Sequence, residues 1–483
     1  MPRFAKIVCT LGPSTSTKPV IRKLITAGMD VARLNFSHGS HESHLAMIKL
    51  IRECSAELGK PVSILQDLQG PKLRVGELPP DGVQLIAGAS VKLFMIGDYK
   101  EDITGEDIAL PLDVPNLIRA VKPGNRILLD DGKLELQVTG VNENYVDTRV
   151  ILGGALKSHK GVNLPGTDLG IARFTEKDKV DLAFGLSNAV DYVAISFVDS
   201  ASDIIEVKRT IEVINPARKN TPIIAKLERP AAIKNLHEII HIAEGVMVAR
   251  GDLAVETSPA LVPIVQKEII QMANRHAKIV ITATQMLESM IDNPRPTRAE
   301  ASDVANAVFD GTDAVMLSAE TASGSYPIES VKMMVSIIHE AEKHMVEWSH
   351  MEDFPEEALK TDALAISNAA KTLAHDRDVS NIAVFTQSGK TALLMSKTRP
   401  RVPIIAFTPE PATLTALSLY WGVHPVLVPF ANSLEEMVRS VDNFLIKRKN
   451  LKIGEQVVLI SGFPVGAMRL PNMALLHSVG EEV

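Results

Sequence analysis

The stretch "GVMVARGDLAVE", Gly245 to Glu256, runs apolar as far as Ala249 and then turns abruptly to Arg250, Gly251 and Asp252. Small and β-branched residues followed at once by a cation, a permissive glycine and an anion read as a buried strand that stops at a polar rim. An Arg-Gly-Asp adhesion loop would need an exposed, flexible setting in a secreted protein. The chain has only two cysteines, Cys9 and Cys54, and its opening "MPRFAKIVCTLGPS" has no apolar signal core. Both features point to a reducing compartment, by default the cytoplasm, and away from adhesion.

The same form recurs in "KIVCTLG", "VARLNFS", "VSILQDL", "YVAISF", "PIIAKLE", "KIVITATQ" and "AVMLSAE", with amphipathic segments such as "STKPVIRKLITAGM" and "VPIVQKEIIQMANRHA" between them. Near-continuous apolar strands need both faces covered, and eight such strand–helix units close a (β/α)8 TIM barrel with its site at the C-terminal strand ends. Ser258 before Pro259 predicts a helix N-cap there. "TRAE", Thr297 to Glu300, predicts a capping box whose helix stops near Gly311. One connection is too long: about a hundred residues separate Asp67 from a helix starting near Thr175, and they carry hairpin signals such as "RILLDDGKLELQV". They predict an inserted, β-rich lid domain, a small β-barrel. "NIAVFTQSG", "VPIIAFT", "HPVLVPF" and "QVVLISG" then predict a third domain with an open α/β sheet. The expected boundaries are 1–70 with 170–345 for the barrel, 71–169 for the lid and 346–483 for the C-terminal domain.

A net charge of −7 argues against a nucleic-acid footprint. The uncharged run Pro411 to Leu434 has membrane length, but Gly422, His424, Pro425 and Pro429 interrupt it, so a helix, a turn and a strand are expected and no membrane partner.

Residues two apart in a strand face the same side, so Lys226 and Glu228 of "AKLER" project together. Asp252, ending the next strand, stands beside them. Two carboxylates at a barrel mouth suit Mg2+, with water or substrate oxygens completing an octahedron. The amides at Gly251 and Asp252 can receive a substrate carboxylate if "DLAVE" opens a short helix. Arg33, Asn35, Lys226 and Arg74 fall at the same rim, so a small polyanion is the expected ligand. Thr284 in "TATQM", with Ser318 and Glu320 in "MLSAETA", are candidates for a proton relay or simply for turn capping. "TQSGKT", Thr386 to Thr391, is not a nucleoside-triphosphate P-loop, because its first glycine would fall on Val384. Ser388, Gly389, Lys390 and Thr391 at a helix start still make a phosphate cradle. His38 and the other histidines show no metal-ligand spacing and read as structural or solvent-facing.

Together "VARLNFSHG", "DLQGPKLR", "KGVNLPG", "AKLER", "VMVARGDLAVE", "TATQMLESM" and "PTRAEASDVANAVFDGTDAVMLSAETASGSYP" resemble the pyruvate kinase family over nearly the whole chain. The resemblance implies phosphoryl transfer from phosphoenolpyruvate to ADP in glycolysis, with Mg2+ (Mn2+ as the alternative ion), in a homotetramer. Residue by residue, it implies Glu228 and Asp252 as metal ligands, Lys226 facing the transferred phosphoryl group, Arg33 holding the phosphate, Gly251 and Asp252 receiving the carboxylate, and Thr284 beside the carbon that is protonated. It places Arg74 and Lys160 near the nucleotide. The Thr386–Thr391 cradle, read from its own residues, is expected to bind a phosphorylated allosteric activator. One stretch departs from the family pattern. K+-dependent members usually read Asp-Thr-Lys-Gly-Pro-Glu where this chain has Asp67-Leu68-Gln69-Gly70-Pro71-Lys72. Asn35, Ser37 and Asp67 match ligands of the monovalent cation, but Lys72 puts an ammonium where a carboxylate would stand, so no K+ requirement is expected. A metal-dependent lyase or aldolase, and a non-catalytic sensor of phosphorylated metabolites, remain the alternatives.

Overall fold

The structure, a computed structural model, describes residues 3–97, 108–349, 354, 360–449, 451–467 and 469–481. Parts of two expected domains, 98–107 of the lid and 350–353 with 355–359 at the start of the third, lie outside the described residues.

The eight runs named above form the eight strands of one closed parallel barrel: β1 (Lys6–Thr10), β2 (Val31–Asn35), β3 (Ser63–Asp67), β4 (Tyr192–Ile195), β5 (Ile223–Leu227), β6 (Gly245–Ala249), β7 (Ile279–Ala283) and β8 (Ala314–Leu317). β1 pairs with both β2 and β8, which closes the ring. Their side chains alternate. Ile7, Ile64, Val193, Val246 and Val280 pack outward against the helices, while Val8, Val31, Leu65, Ala194, Ile224 and Met247 fill the interior. Two residues further along the inward rows come Arg33, Asp67, Ser196 and Lys226. The interior therefore changes from apolar to charged at the C-terminal mouth, as the period of two requires.

Thr297 caps the helix Arg298–Phe309 with Glu300 at its third position, and that helix ends before Gly311 (φ 94°). The Ser258–Pro259 expectation is corrected. The second helix after β6 runs Val262–Arg275 with Leu261 as N-cap and Pro263 in its first turn, because Ser258 to Leu261 form a turn closed by Leu261 N–H donating to Ser258 O (3.0 Å).

The insertion after β3 contains a seven-stranded sheet running from Val162–Asn163 at one edge to Arg74–Val75 at the other, plus a two-stranded companion. Its edges meet: Arg74 bridges Gly161, Val75 N–H donates to Lys160 O (2.8 Å) and Val162 N–H to Leu73 O (3.1 Å). Those contacts bring the chain's two crossings into the lid side by side. The C-terminal sheet has five strands, four parallel and a fifth, Met473–Ser478, antiparallel to Gln456–Ser461. The fifth is absent from the sequence reading because a loop, not a helix, leads to it.

The run Pro411 to Leu434 divides into the helix Pro411–Ala416, the turn Leu417–Leu419 and the strand Val423–Leu427. No helix among the described residues is long and apolar enough to cross a membrane. Leu417, Leu419 and Tyr420 belong to the same buried cluster as the barrel interior. They close the barrel's N-terminal end, where Tyr192 OH donates to Ala416 O (2.8 Å) and Lys6 Nζ to Val423 O (2.7 Å).

Candidate active site

The mouth is organised around Lys226. Its ammonium lies 2.9 Å from Glu228 Oε1 and 3.4 Å from Asp67 Oδ1, and it donates to Ser196 Oγ at 2.8 Å. Burial opposes the charge, but Asp67 and Glu228 outweigh it and lift the pKa above that of an ordinary lysine, so the group is an ammonium throughout the neutral range. Asp67 is shared. Arg33 Nε donates to its Oδ2 (2.6 Å), and Lys226 and Arg33 together overcome burial and hold its carboxyl below the usual range. Arg33 Nη1 also donates to Thr10 Oγ1 (2.9 Å), and Ser196 donates onward to Leu68 O (2.7 Å). Asn35 Oδ1 accepts from the amide of Ser37 (3.1 Å).

Glu228 Oε2 accepts from the Phe197 amide at 2.6 Å. Asp252 makes no hydrogen bond to the described residues; burial first, then the nearby Glu228 carboxylate, push its carboxyl up to about 7. Two crowded, oxygen-only carboxylates, one of them with no partner, fit a hard divalent cation whose charge relieves their repulsion. Among the described residues no third His, Cys, Asp or Glu joins them as a ligand cluster.

The segment Arg250–Glu256 is helical from Arg250 onward, earlier than "DLAVE" suggests. The Gly251 amide donates to Thr284 Oγ1 (2.8 Å), which itself donates to Ala283 O (2.6 Å). Thr284 and Gln285 both hold positive φ, 65° and 55°. Both oxygens of Glu320 accept backbone amides, from Leu287 (3.1 Å) and Ser318 (2.7 Å), and burial raises its carboxyl. Glu320 thus anchors the turn after β8, while Ser318 precedes a one-turn helix without capping it through its side chain.

Above the mouth, Lys160 pairs with Asp130 (2.8 Å) in a hairpin tip whose residues Asp130, Asp131 and Gly132 all have positive φ. That tip reaches Val255 on the barrel, and lid and barrel enclose a cavity of about 680 Å3 lined by Asp131, Asp252, Thr284, Ser318 and Glu320. Lys72 is half-buried at the lid's first crossing, where burial, then Arg74 and Lys177, depress its pKa while Asp131 partly opposes them. His38, read from sequence as structural or solvent-facing, is exposed beside this cationic rim, where partial burial, then Lys72, Arg74 and Arg33, lower its pKa. Ser196 and the lid contact from Asn163 Nδ2 to Glu256 Oε1 (2.9 Å) were missed, because the stretches that hold them, "YVAISF", "KGVNLPG" and "DLAVE", do not reveal side-chain partners that lie far along the chain.

The C-terminal cradle is separate from the mouth. Thr386 Oγ1 accepts from the Gly389 amide (2.9 Å), Gly389 takes φ 84° before the helix Lys390–Lys397, and Ser388, Lys390 and Thr391 line a cavity of about 320 Å3 with Phe430 and Arg469. Arg469, far along the chain from "TQSGKT", was invisible to motif reading.

Comparison with known proteins agrees over both lobes. Residues 2–331 match the family model "pyruvate kinase, barrel domain" and residues 364–477 match "pyruvate kinase, alpha/beta domain". The chain is 42% identical over 479 residues to a pyruvate kinase of Agrobacterium vitis, covering 99% of each chain. It is 41% identical over 482 residues to one of Mycobacterium intracellulare, covering both chains fully. A Geobacillus stearothermophilus pyruvate kinase is 41% identical over 483 residues, covering all of this chain and 81% of the relative.

Proposed function

From the premise that the chain belongs to the pyruvate kinase family and is a phosphotransferase, we propose that its barrel mouth transfers the phosphoryl group of phosphoenolpyruvate to ADP with Mg2+, without K+, and under control of a phosphorylated activator. The observation that carries this reading is the placement of Lys226 between Glu228 and Asp67, with Asp252 alongside. Phosphoryl transfer requires positioning and charge neutralisation more than covalent help from the protein. Arg33 and Lys226 hold the phosphoryl oxygens. The bond from phosphorus to the enol oxygen breaks, a bond to a terminal ADP oxygen forms, and the enolate left behind takes a proton at carbon, on the side of Thr284, to become pyruvate. Glu228 and Asp252 would hold Mg2+, or Mn2+ in its place, which supplies Lewis-acid polarisation of substrate oxygens. The amides of Gly251 and Asp252, in the first turn of the helix Arg250–Glu256, would receive the substrate carboxylate, that of Gly251 being shared with Thr284 Oγ1. Arg74 and Lys160, at the lid's paired crossings, would approach ADP, and lid closure would keep water from the phosphoryl donor.

Lys72 supports the K+-independent reading. With Arg74 and Lys177 beside it, a monovalent cation near Asn35, Ser37 and Asp67 would meet fixed positive charge, and Asp67 is already neutralised by Arg33 and Lys226. The Thr386–Thr391 cradle, with Arg469 opposite, supports binding of a phosphorylated effector. Exposed Leu261, the N-cap, and Ile264, in the first turn of the helix Val262–Arg275, support self-association, and the family resemblance supports a homotetramer; the cysteine usage supports a cytoplasmic setting. The decisive experiment is ADP-dependent pyruvate formation from phosphoenolpyruvate with and without Mg2+. Pyruvate formed at equal rates without ADP or without any divalent ion would overturn the proposal.

A further inference from the structure

A β-branched residue at positive φ is rare, since its side chain crowds the backbone, and such conformations persist only where the surroundings impose them. Thr284 and Gln285 are two consecutive non-glycine residues in this state, directly after β7 and on the wall of the active-site cavity. The contacts that impose it come from a side chain outside the reaction described above. Arg250 is buried at the start of its helix, its side chain only 8% exposed. Its Nε donates to Ala283 O (3.2 Å) and its Nη2 to Thr284 O (2.7 Å), with Met286 Sδ also against Nη2. Nη1 is tied to Asp303 (2.7 Å), with Gln266 Oε1 at 3.4 Å. One planar fork therefore grips both carbonyls that flank the strained φ of Thr284 and is itself anchored in the helix Arg298–Phe309. The next residue, Gly251, donates its amide to the Thr284 hydroxyl. Backbone and side chain of Thr284 are thus fixed from two adjacent residues of one element.

We infer that Arg250 is a positioning residue for the reaction: it holds the turn after β7 in its left-handed conformation and so sets where the Thr284 hydroxyl stands relative to the substrate carbon. This rests on the role given to Thr284 above. Lysine cannot reproduce the grip, because a single ammonium cannot span two carbonyls and a carboxylate in fixed geometry.

The test is a double-mutant cycle on the full chain, using Arg250→Lys and Thr284→Ala, with phosphoenolpyruvate, ADP and Mg2+ as substrates. Arg250→Lys should lower kcat by about 10- to 100-fold, with KM for phosphoenolpyruvate moving less than about threefold. In the Thr284→Ala background the same change should cost less than about twofold, since the hydroxyl it places is gone. Exchange of pyruvate methyl protons with deuterated water, followed by NMR, should fall in parallel in Arg250→Lys and report the carbon-protonation step by itself. Equal losses from Arg250→Lys in both backgrounds, or unchanged methyl exchange, would overturn this inference and leave the role of Thr284 standing. Full turnover in Thr284→Ala alone would remove that role and this inference with it. If Arg250→Lys does not fold, Asp303→Asn, which keeps the arginine but loosens its anchor, should show the same dependence on Thr284, and additivity there would be equally fatal.

Discussion

Lys226→Met removes one charge from the centre of the mouth while keeping most of the side chain's volume. An ammonium about 4 Å from a migrating charge, at an effective dielectric near 20, contributes about 4 kcal/mol. At about 1.4 kcal/mol per decade, that is roughly a thousandfold in rate, which matches the usual cost of deleting one electrostatic stabiliser in a water-excluded site. The carboxylates left behind, Glu228 and Asp67, each have side chains only 1% exposed. Breaking a buried ion pair costs about 3–5 kcal/mol. Here Asp67 keeps Arg33 and Glu228 keeps the Phe197 amide, so we expect the lower end, about 3 kcal/mol, and a protein still folded at 25 °C. Initial rates of pyruvate formation at saturating phosphoenolpyruvate, ADP and Mg2+ should fall about 10³-fold, with an intact circular-dichroism spectrum and a lowered unfolding midpoint. A folded variant with less than about a tenfold loss would show that the ammonium does not act on transition-state charge, and the mechanism above would fail with it.

Glu228→Gln and Asp252→Asn should each weaken divalent-ion binding by an order of magnitude or more, measured with Mn2+ by electron paramagnetic resonance as well as by Mg2+ titration of the rate; unchanged affinity in both would reassign the ligands. Turnover in a buffer whose only monovalent cation is tetramethylammonium should stay within about threefold of that with added KCl at matched ionic strength, and Lys72→Glu should introduce a K+ response that Leu68→Thr enlarges; more than tenfold activation of the unaltered enzyme by K+ would reject the reading of Lys72. Ser388→Ala combined with Lys390→Ala should abolish the shift from sigmoidal to hyperbolic phosphoenolpyruvate saturation by sugar phosphates and nucleoside monophosphates while sparing basal turnover; a shift that survives would put the effector elsewhere. Asp313, bound by Lys397 (2.5 Å) and Arg399 (2.8 Å), has its carboxyl held low by those cations against the opposing effect of burial. Its stabilisation is present above the ordinary carboxyl pKa of 3.8 and is lost as pH falls through the lower folded value. Asp313→Asn should therefore be less stable than the wild type by about 3 kcal/mol at pH 7, and urea unfolding should show the gap closing only in the acid range; a gap independent of pH would contradict the assignment.

The barrel was legible because each inward strand face repeats every two residues, so a Lys or Asp at the end of an apolar run announces the mouth before any contact is known. Lys226 and Glu228 were placed at the mouth by that rule, and Asp252 by the end of the apolar run before it. Arg250 was quoted in the same stretch and yet passed over, because its work depends on carbonyls of residues more than thirty positions away, and no spacing rule reports a backbone φ. Arg469 escaped for a related reason. Its neighbours come from other elements, and only the folded chain brings it to the cradle. The Ser258 cap failed because a proline and a serine fit a turn as well as a helix start, and the Leu261 amide settled the competition in favour of the turn.

The closure of the barrel's lower end by Leu417, Leu419 and Tyr420 bears on how the chain is made. A ribosome delivers the eight strands of the ring first, yet the apolar side chains that fill its interior have no floor until the segment around Tyr420 emerges. At translation rates of about 5–20 residues per second, that leaves the nascent ring open to water for on the order of ten seconds. Ser63 and Lys6, near the start, must then find Thr415 and Val423, contacts that span 352 and 417 residues. Early-made and late-made thirds of the polypeptide complete one hydrophobic interior between them, so the newborn protein becomes watertight only when its last domain has docked.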